Sequence, residues 1–414
     1  MRIFCAVRHS VDPNRYYGGL WNGNFYPALR LLGHEIVESR VDLLPASRFM
    51  HIGSGFTKGE LAARTEITEQ IVDEVRTAHR QRSIDLFLSY FYNAHFDPTG
   101  FDELRQLGVP SVNFYCNSIH QFANVAGIAA KVDYSWYPEK NARELYVRAG
   151  AHPVWVQMAA DPEVYRPVPR VPRKTSACFV GQRYADRDRW MASLIRAEIP
   201  LEIYGPGWGS EAKRNGEQAT NSALSYLGRV QHRPGTVSSY LASARQLVSD
   251  YGLFAGALRL TKQIRYRQET RRLSPLFVSH AKGSVPFEKI AEIFASHEVI
   301  LNFSNVWADS RPASTLIPHV RLRDFEAPMC RTCYLTGHTE EIGEFYEIGK
   351  EIDTYRTRDE LVDKTRFYLN DQGAAERLRR AGYERARRDH TWSRRFQELF
   401  AKIKLKSAKH EMLL

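Results

Sequence analysis

The chain contains 414 residues, of which 43% are hydrophobic and 25% are charged, a balance that excludes a disordered or fibrous protein. A length above the roughly 250–300 residues at which a single hydrophobic core stops growing predicts two domains. The formal net charge is +11, and five scattered cysteines exclude a disulfide framework.

Membrane and secretion signals are not found in the sequence. No apolar run approaches the roughly 18 residues that cross a bilayer. The first residues, MRIFCAVRHS, lack the hydrophobic stretch of a signal peptide. We therefore expect a cytoplasmic protein.

Residues 1–165 alternate between strand and helix patterns. The segment MRIFCAV is predicted as a strand, a glycine-rich loop follows it to Asn24, and a helix ends at Gly33 before a second strand. A helix over residues 65–82 precedes the apolar run IDLFLSYF, which is typical of a parallel strand buried on both faces. The alternation continues through PSVNFYCNS and VDYSWYP, so we predict a doubly wound α/β domain.

The polar segment NFYCNSIHQF interrupts this domain at the carboxyl end of a predicted strand. Open α/β sheets bind ligands at that edge. His120 lies in this segment, and because histidine titrates near neutral pH it could act as a general base. A single histidine is also commonly a structural hydrogen-bonding residue, and the sequence leaves both interpretations open.

A linker separates the two predicted domains. The segment VWVQMAADPEVYRPVPRVPRK contains four prolines, which prevent regular structure, and we place the second domain at residues 166–385. The next segment, SACFVGQRYADRDRWMASLI, is predicted as a strand, a glycine loop and a helix. Its loop contains Gly181, Arg183 and Arg187, and guanidinium groups beside a helix start suit a diphosphate.

Regular alternation ends after the predicted strand LEIYGPGWG. Residues 210–274 contain helical fragments, which we interpret as an insertion. Much of the positive charge lies in two segments: residues 259–272 contain six Lys or Arg against one acidic residue, and residues 371–410 contain twelve against five. Such helices are usually solvated faces, but they also dock on anionic membranes.

Apolar residues within the first basic segment leave two interpretations open. Leu258, Leu260, Ile264 and Tyr266 could contact a membrane surface, or they could pack on the second domain. Aromatic residues are not interleaved with the basic runs in the way that nucleic-acid recognition favours, so no nucleic acid is expected as a partner.

Residues 295–326 contain the most informative local pattern. A short run of β-branched and apolar residues predicts a strand that ends at Asn302 and Ser304. A polar loop follows and ends with Arg321 and Arg323 on the predicted first turn of a helix. Free backbone N–H groups and the helix dipole favour an anion there, so we expect a phosphate at this position.

These residues also resemble a known family. The pattern LN, a loop, RLRDFE and the segment APMCRTCYLTG resembles the donor half of a GT-B glycosyltransferase, specifically of the spore-maturation CgeB-like family. The similarity extends from Pro167 to Leu405 outside the insertion and includes the terminal HTW and SRRF. It implies two Rossmann-like domains that face each other across a cleft, with a terminal helix at 386–414 that returns to the first domain.

The resemblance also implies roles for individual residues. Glu326 matches the carboxylate that binds the nucleotide ribose, and Val285 matches a contact to the base. The wider GT-B pattern has a second glutamate upstream of Glu326, and Pro318 stands at that position here. The predicted donor-binding residues are Gly181, Arg183, Arg187, Gly205, Val285, Asn302, Ser304, Arg321 and Glu326, and the predicted catalytic residues are His120 and Arg323.

The expected reaction is transfer of a sugar from a UDP-, GDP- or dTDP-linked donor to an acceptor held by the first domain. No metal and no further cofactor are expected, because basic side chains and a helix N-terminus can neutralise the leaving diphosphate. Two alternatives stay open. A nucleotide-sugar epimerase would share the donor site without an acceptor, and the basic segments alone would suit a nucleic-acid-binding protein.

Overall fold

The computed structural model describes residues 1–7, 16–209, 248, 252–309 and 311–405. The chain divides into two compact units. Unit 1 comprises Met1–Val164 together with Ala386–Leu414, and unit 2 comprises Tyr165–Arg385.

Unit 1 is built on a parallel six-stranded sheet. Its strands are β1 (Arg2–Ala6), β2 (Glu35–Glu38), β3 (Leu86–Ser89), β4 (Ser111–Phe114), β5 (Tyr134–Tyr137) and β6 (Pro153–Trp155). They are ordered β2-β1-β3-β4-β5-β6. Every residue of β3 and β4 is buried, as expected for parallel strands covered on both faces.

Helices connect these strands. They are α1 (Tyr16–Leu31), α2 (Leu44–Ser47), α3 (Lys58–Gln81), α4 (Gly100–Gln106), α5 (Ser118–Gln121), α6 (Ala126–Ala129) and α7 (Arg143–Arg148). The sequence-based boundary of α1 was wrong, because the helix begins at Tyr16 where a loop to Asn24 was predicted. Trp21 and Phe25 lie one helical turn apart, with ring centroids 5.4 Å apart, and both are buried. Their packing outweighs the low helix propensity of the nearby glycines.

Unit 2 is built on a parallel five-stranded sheet with an additional hairpin. Its strands are β7 (Lys174–Val180), β8 (Leu201–Tyr204), β9 (His297–Asn302), β10 (Asn305–Trp307), β11 (Leu316–Pro318), β12 (Cys333–Gly337) and β13 (Asp353–Tyr355). The sheet has the order β13-β12-β9-β7-β8, and β10 and β11 form a separate antiparallel pair. The hairpin replaces part of the polar loop that the sequence predicted after β9.

The remaining helices, numbered through the described residues, are α8 (Arg187–Arg196), α9 (Leu253–Phe277), α10 (Ile290–Ala295), α11 (Arg323–Met329), α12 (Arg358–Asn370), α13 (Gln372–Asp389) and α14 (Trp392–Lys402). In α14, Trp392 packs within unit 1 against Trp21, Phe25 and Trp136. Its indole Nε1 donates a hydrogen bond to Asn24 at 3.0 Å. Within the described ranges, no helix combines the length and the apolar character that crossing a membrane requires.

The predicted insertion at 210–274 needs a correction at its end. Leu273 and Phe277 of α9 belong to the hydrophobic core of unit 2, together with Met191 and Leu194 of α8. The end of α9 is therefore an integral part of the fold, because its apolar residues complete the core beside α8. Residues 210–247 of the predicted insertion lie outside the described residues.

Candidate functional site

The carboxyl ends of the unit 2 strands bring several predicted residues to one edge of the sheet. Gly181 directly follows β7, Gly205 directly follows β8, and Ser304 lies two residues after β9. Because all three strands are parallel and neighbouring, their ends meet at the same edge. This is the edge at which open α/β sheets bind ligands.

The two predicted glycines are in direct contact. The Gly181 N–H donates to the Tyr204 carbonyl at 2.8 Å. Gly205 has φ +125°, and a Cβ atom at that position would lie 2.4 Å from the Gly181 carbonyl oxygen. Only glycine therefore allows the two loops to approach this closely.

The same edge extends to Val285 through the backbone. Residues 280–282 pair with Ile203 of β8 in a parallel bridge. One step further along, the Gly205 N–H donates to the Gly283 carbonyl at 2.8 Å. Val285 follows two residues later and is half-buried. Its predicted contact with a base stays a prediction, but its segment runs along the candidate edge.

Arg187, the first residue of α8, is a buried cation without a carboxylate partner among the described residues. Its side chain is buried, and its Nη1 donates to the Gln182 carbonyl at 2.7 Å. The guanidinium also lies over the rings of Phe179 and Tyr184. Within the described part of the chain, its Nε has no hydrogen-bond partner. An unpaired buried charge is costly, so this arrangement favours an anion.

A second cation strengthens this preference. Burial lowers the pKa of Arg187 to about 9, and the positive charge of Arg321 adds to that effect, while the negative charge of Asp186 opposes it without forming an ion pair. Arg321 and Arg187 also both lower the pKa of Tyr184, although burial raises it overall. Two guanidinium groups are therefore concentrated beside the start of α8, where the helix dipole adds further positive potential.

Arg183 differs from Arg187, although the sequence predicted one role for both. Its guanidinium forms a buried ion pair with Asp188 at 2.7 Å. It also donates to the Ser274 hydroxyl at 2.9 Å and to the Thr270 carbonyl at 2.5 Å, and it lies over the ring of Phe277. These contacts give Arg183 a structural role, because they join the loop after β7 to α9.

Asn302 and Ser304 also have partners inside the protein. The Asn302 amide donates to Asp324 at 3.1 Å and to Thr336 at 3.2 Å. Ser304 donates to the Gly337 carbonyl at 2.5 Å. These bonds fix the end of β9 against β12, and the predicted contact of Asn302 and Ser304 with a donor stays a prediction.

Asp324 is an organising residue that the sequence reasoning missed. Its buried carboxylate accepts hydrogen bonds from the Arg321 N–H at 2.6 Å, from Tyr334 at 2.7 Å and from Thr336 at 2.9 Å. Burial raises the pKa of Asp324, while these hydrogen bonds oppose the rise. The available signal was its place in RLRDFE, immediately after the arginines that it orients.

Glu326 and Arg323 form an ion pair on α11. The Glu326 carboxylate is 3% exposed, lies 2.8 Å from Arg323 Nη1 and accepts a hydrogen bond from the Tyr165 hydroxyl. Arg323 also lies over the ring of Phe294. The charge of Arg323 is therefore balanced by Glu326, which makes it less suited than Arg187 to compensate a diphosphate.

The remaining predicted residue, His120, lies in α5 of unit 1, whereas the other ten belong to unit 2. The adjacent Ile119 N–H donates to Glu139 at 3.0 Å. The role of His120 as a base stays a prediction. Among the residues that the structure describes, no cluster of three or more His, Cys, Asp or Glu could hold a metal ion.

Comparison with solved structures defines the class of fold. The chain is similar to AviGT4, a glycosyltransferase involved in avilamycin A biosynthesis, with a TM-score of 0.55 and 15% identity over 99% of this chain and 98% of that chain. It is similar to sucrose-phosphate synthase from Thermosynechococcus elongatus, with a TM-score of 0.54 and 12% identity over 98% and 99%. It is also similar to Anabaena HepE in complex with UDP and glucose, with a TM-score of 0.52 and 12% identity over 98% of this chain and 99% of that chain. The predicted GT-B fold is thereby confirmed.

A family comparison gives a more specific result for part of the chain. Residues 244–401 match a family described as Glycosyl transferase-like. The match covers less than half of the chain and includes Val285, Arg321 and Glu326 but not Arg187. The CgeB-like assignment stays a prediction. No curated protein matches the sequence significantly.

Proposed function

We propose that the protein is a GT-B glycosyltransferase that transfers a sugar from a nucleotide-diphosphate sugar to an acceptor. The observation that carries the proposal is Arg187, a buried cation with no carboxylate partner in the described part of the chain. It lies at the carboxyl edge of a parallel sheet, at the start of α8 and near Arg321. A diphosphate would supply the missing negative charge.

The surrounding residues suit the rest of such a donor. Gly181 and Gly205 allow the loops after β7 and β8 to meet at the sheet edge, and Glu326 supplies a buried carboxylate for ribose hydroxyls. HepE was solved in complex with UDP and glucose, so UDP-linked donors are the first to test here. GDP- and dTDP-linked donors follow.

A thermal-shift panel of nucleotide sugars tests this proposal. A ligand at 100 times its dissociation constant stabilises the folded state by about 2.7 kcal/mol, which is readily measured. We expect one of UDP-, GDP- and dTDP-glucose to raise the melting temperature above the others. Incubation with that donor alone then separates transfer from epimerisation, since an epimerase would convert the sugar without an acceptor.

Two further features of the proposed reaction can be tested directly. We propose that unit 1 binds the acceptor and that His120 is its base, so His120→Ala should lower turnover by about 10² to 10⁴ with donor affinity preserved. We also propose a metal-independent reaction. A chelator should then leave transfer unchanged, and loss of transfer that added Mg²⁺ restores would contradict that part.

An anionic membrane is the proposed location of the acceptor if it is lipid-linked. Leu253 and Phe254 of α9 are 78% and 87% exposed and precede the basic segment 259–272, so they could contact a membrane. Tyr266 packs on Trp307 instead and is not free to contact a membrane. Sedimentation with anionic and neutral vesicles at low and high salt tests this location. Equal binding to both kinds of vesicle at low salt would favour an acceptor in solution.

A further inference from the structure

A cavity of about 380 Å³ lies in unit 2 beside the start of α8. Its walls come from α9 and from the β10–β11 hairpin, two elements that the sequence did not predict as parts of a site. The volume is within the range of small-ligand sites. Asp186 lines the cavity and directly precedes Arg187, which is not itself a lining residue, so the cavity and the candidate diphosphate site share the turn that leads into α8.

Two aromatic residues form a fixed apolar wall of this cavity. The rings of Tyr266 and Trp307 meet edge to face, with centroids 5.3 Å apart and an interplanar angle of 90°. The Tyr266 hydroxyl donates to the Ala185 carbonyl at 3.0 Å, which holds the ring in place. Aromatic faces carry partial negative charge and attract the polarised C–H groups of a sugar ring.

Two polar atoms at the cavity have no partner among the described residues. Asp186 Oδ2 accepts hydrogen bonds from Trp190 Nε1 at 2.8 Å and from Asn305 Nδ2 at 2.7 Å. Asp186 Oδ1, however, is buried without a partner, and so is the Ser314 hydroxyl. A buried carboxylate oxygen without a donor is costly, and the hydroxyl groups of a ligand would satisfy it.

The charges around the cavity are unequal. Asp188 is paired with Arg183 at 2.7 Å, and Arg189 is paired with Glu269 at 2.6 Å. Lys262 and Arg265 line the cavity, are exposed and form no ion pair with the residues that the structure describes. Because the carboxylate of Asp186 offsets one of these charges, the described residues around the cavity, with Arg183 included, carry a net charge of +1, which favours an anionic group on the ligand.

We propose that this cavity binds a saccharide that carries a phosphate or carboxylate group, as a portion of the acceptor distinct from the hydroxyl that His120 of unit 1 is proposed to activate. The proposal rests on the proposed glycosyltransferase function. The aromatic pair contacts the sugar ring, Asp186 and Ser314 bind its hydroxyls, and Lys262 and Arg265 attract its anionic group.

Calorimetric titrations of the full chain with glucose, glucose 6-phosphate, glucuronate and inorganic phosphate test this site. We expect glucose 6-phosphate or glucuronate to bind more tightly than glucose and inorganic phosphate, and the stronger of the two identifies the anionic group. Lys262→Glu and Arg265→Glu should each weaken that binding by about fivefold. Arg271→Glu makes the same charge change on α9 outside the cavity, and it should leave binding unchanged.

Several results would overturn the inference. They are inorganic phosphate binding as tightly as the charged sugars, no binding of any probe at millimolar concentration, and unchanged binding by both rim variants. A parallel titration with UDP keeps the two proposals separate. Failure of the wild-type protein to bind UDP or any other donor nucleotide counts against the proposed function, whereas normal nucleotide binding without saccharide binding counts against the cavity alone.

Discussion

Arg183 and Arg187 show how much a side chain's partner decides its role. Both lie in one loop and both were predicted to contact phosphate, yet Arg183 is paired with the buried Asp188 while Arg187 has no such partner among the described residues. The sequence could not separate them, because the pairing depends on how the loop folds.

We predict that Arg183→Met destabilises the protein by about 3–5 kcal/mol, because it leaves the Asp188 carboxylate buried without its cation. Urea unfolding measures this cost. Arg366→Met is the matched control: its ion pair with Asp363 is exposed and 3.8 Å long, so it should cost less than about 1 kcal/mol. Similar costs for both variants would contradict a structural role for Arg183.

Glu326→Gln is predicted to weaken UDP binding by roughly 10- to 100-fold, since a hydrogen bond to a charged group contributes about 1.5–3 kcal/mol. Glutamine retains the shape of the side chain and an oxygen that can accept from Tyr165 and Arg323, but it removes the negative charge of the ion pair, whereas alanine would remove both hydrogen bonds as well. Titration with UDP measures the change. Glu376→Gln on α13 is the control, and equal affinities for both variants would show that the nucleotide has been misplaced.

At the scale of elements, the site depends on the close approach of the loops after β7 and β8. Gly205→Ala should destabilise unit 2 by about 3 kcal/mol or more, because its Cβ would meet the Gly181 carbonyl and φ would remain positive. Chemical unfolding measures the loss of stability, and UDP titration measures whether the disturbed loops also weaken nucleotide binding. Gly150→Ala is the control, because Gly150 also has a positive φ but has open space around it. This variant should therefore show the cost of backbone strain alone, about 1–2 kcal/mol of unfolding free energy.

The secondary structure could be predicted where one signal dominates. The strands β3 and β9 contain the apolar runs 86–88 and 299–301, which the burial of both faces favours. The β10–β11 hairpin was missed because each strand has only three residues. The end of α9 was assigned to an insertion because its basic residues obscure the few apolar positions that pack on α8.

For the candidate site, the position of the loops could be predicted from the sequence, whereas most hydrogen-bond partners could not. Parallel strands bring their carboxyl ends together, so the proximity of Gly181 and Gly205 follows from the fold. The hydrogen bonds that Asp324 makes with Asn302 and Thr336 could not be predicted, because they join residues from three separate segments. The ion pair of Arg323 with Glu326 could have been predicted, because residues three positions apart on a helix are neighbours.

At the scale of the whole molecule, the chain leaves unit 1 after Val164 and re-enters it at Ala386. Trp392 on the returning segment is fully buried among aromatic residues of unit 1. We predict that Trp392→Ala destabilises unit 1 by about 3–5 kcal/mol. Below the unfolding transition, UDP affinity should stay normal, because the proposed nucleotide contacts lie in unit 2.

Denaturant unfolding followed together with UDP titration tests that separation. Phe367→Ala serves as the control, since Phe367 on α12 is 51% exposed and should cost little. Loss of UDP affinity in Trp392→Ala while the protein is still folded would contradict the assignment of the nucleotide to unit 2.

Arg187 is the buried cation that we propose binds the donor diphosphate. Calorimetric titration of UDP into the wild-type protein and into Arg187→Met tests it most directly. We predict binding to the wild-type protein and affinity at least about 30-fold lower in the variant, because loss of a buried charge contact costs 2 kcal/mol or more. The free variant should be as stable as the wild type or more stable, since a buried charge without a partner has been removed. Equal UDP affinity in the two proteins would contradict the claim.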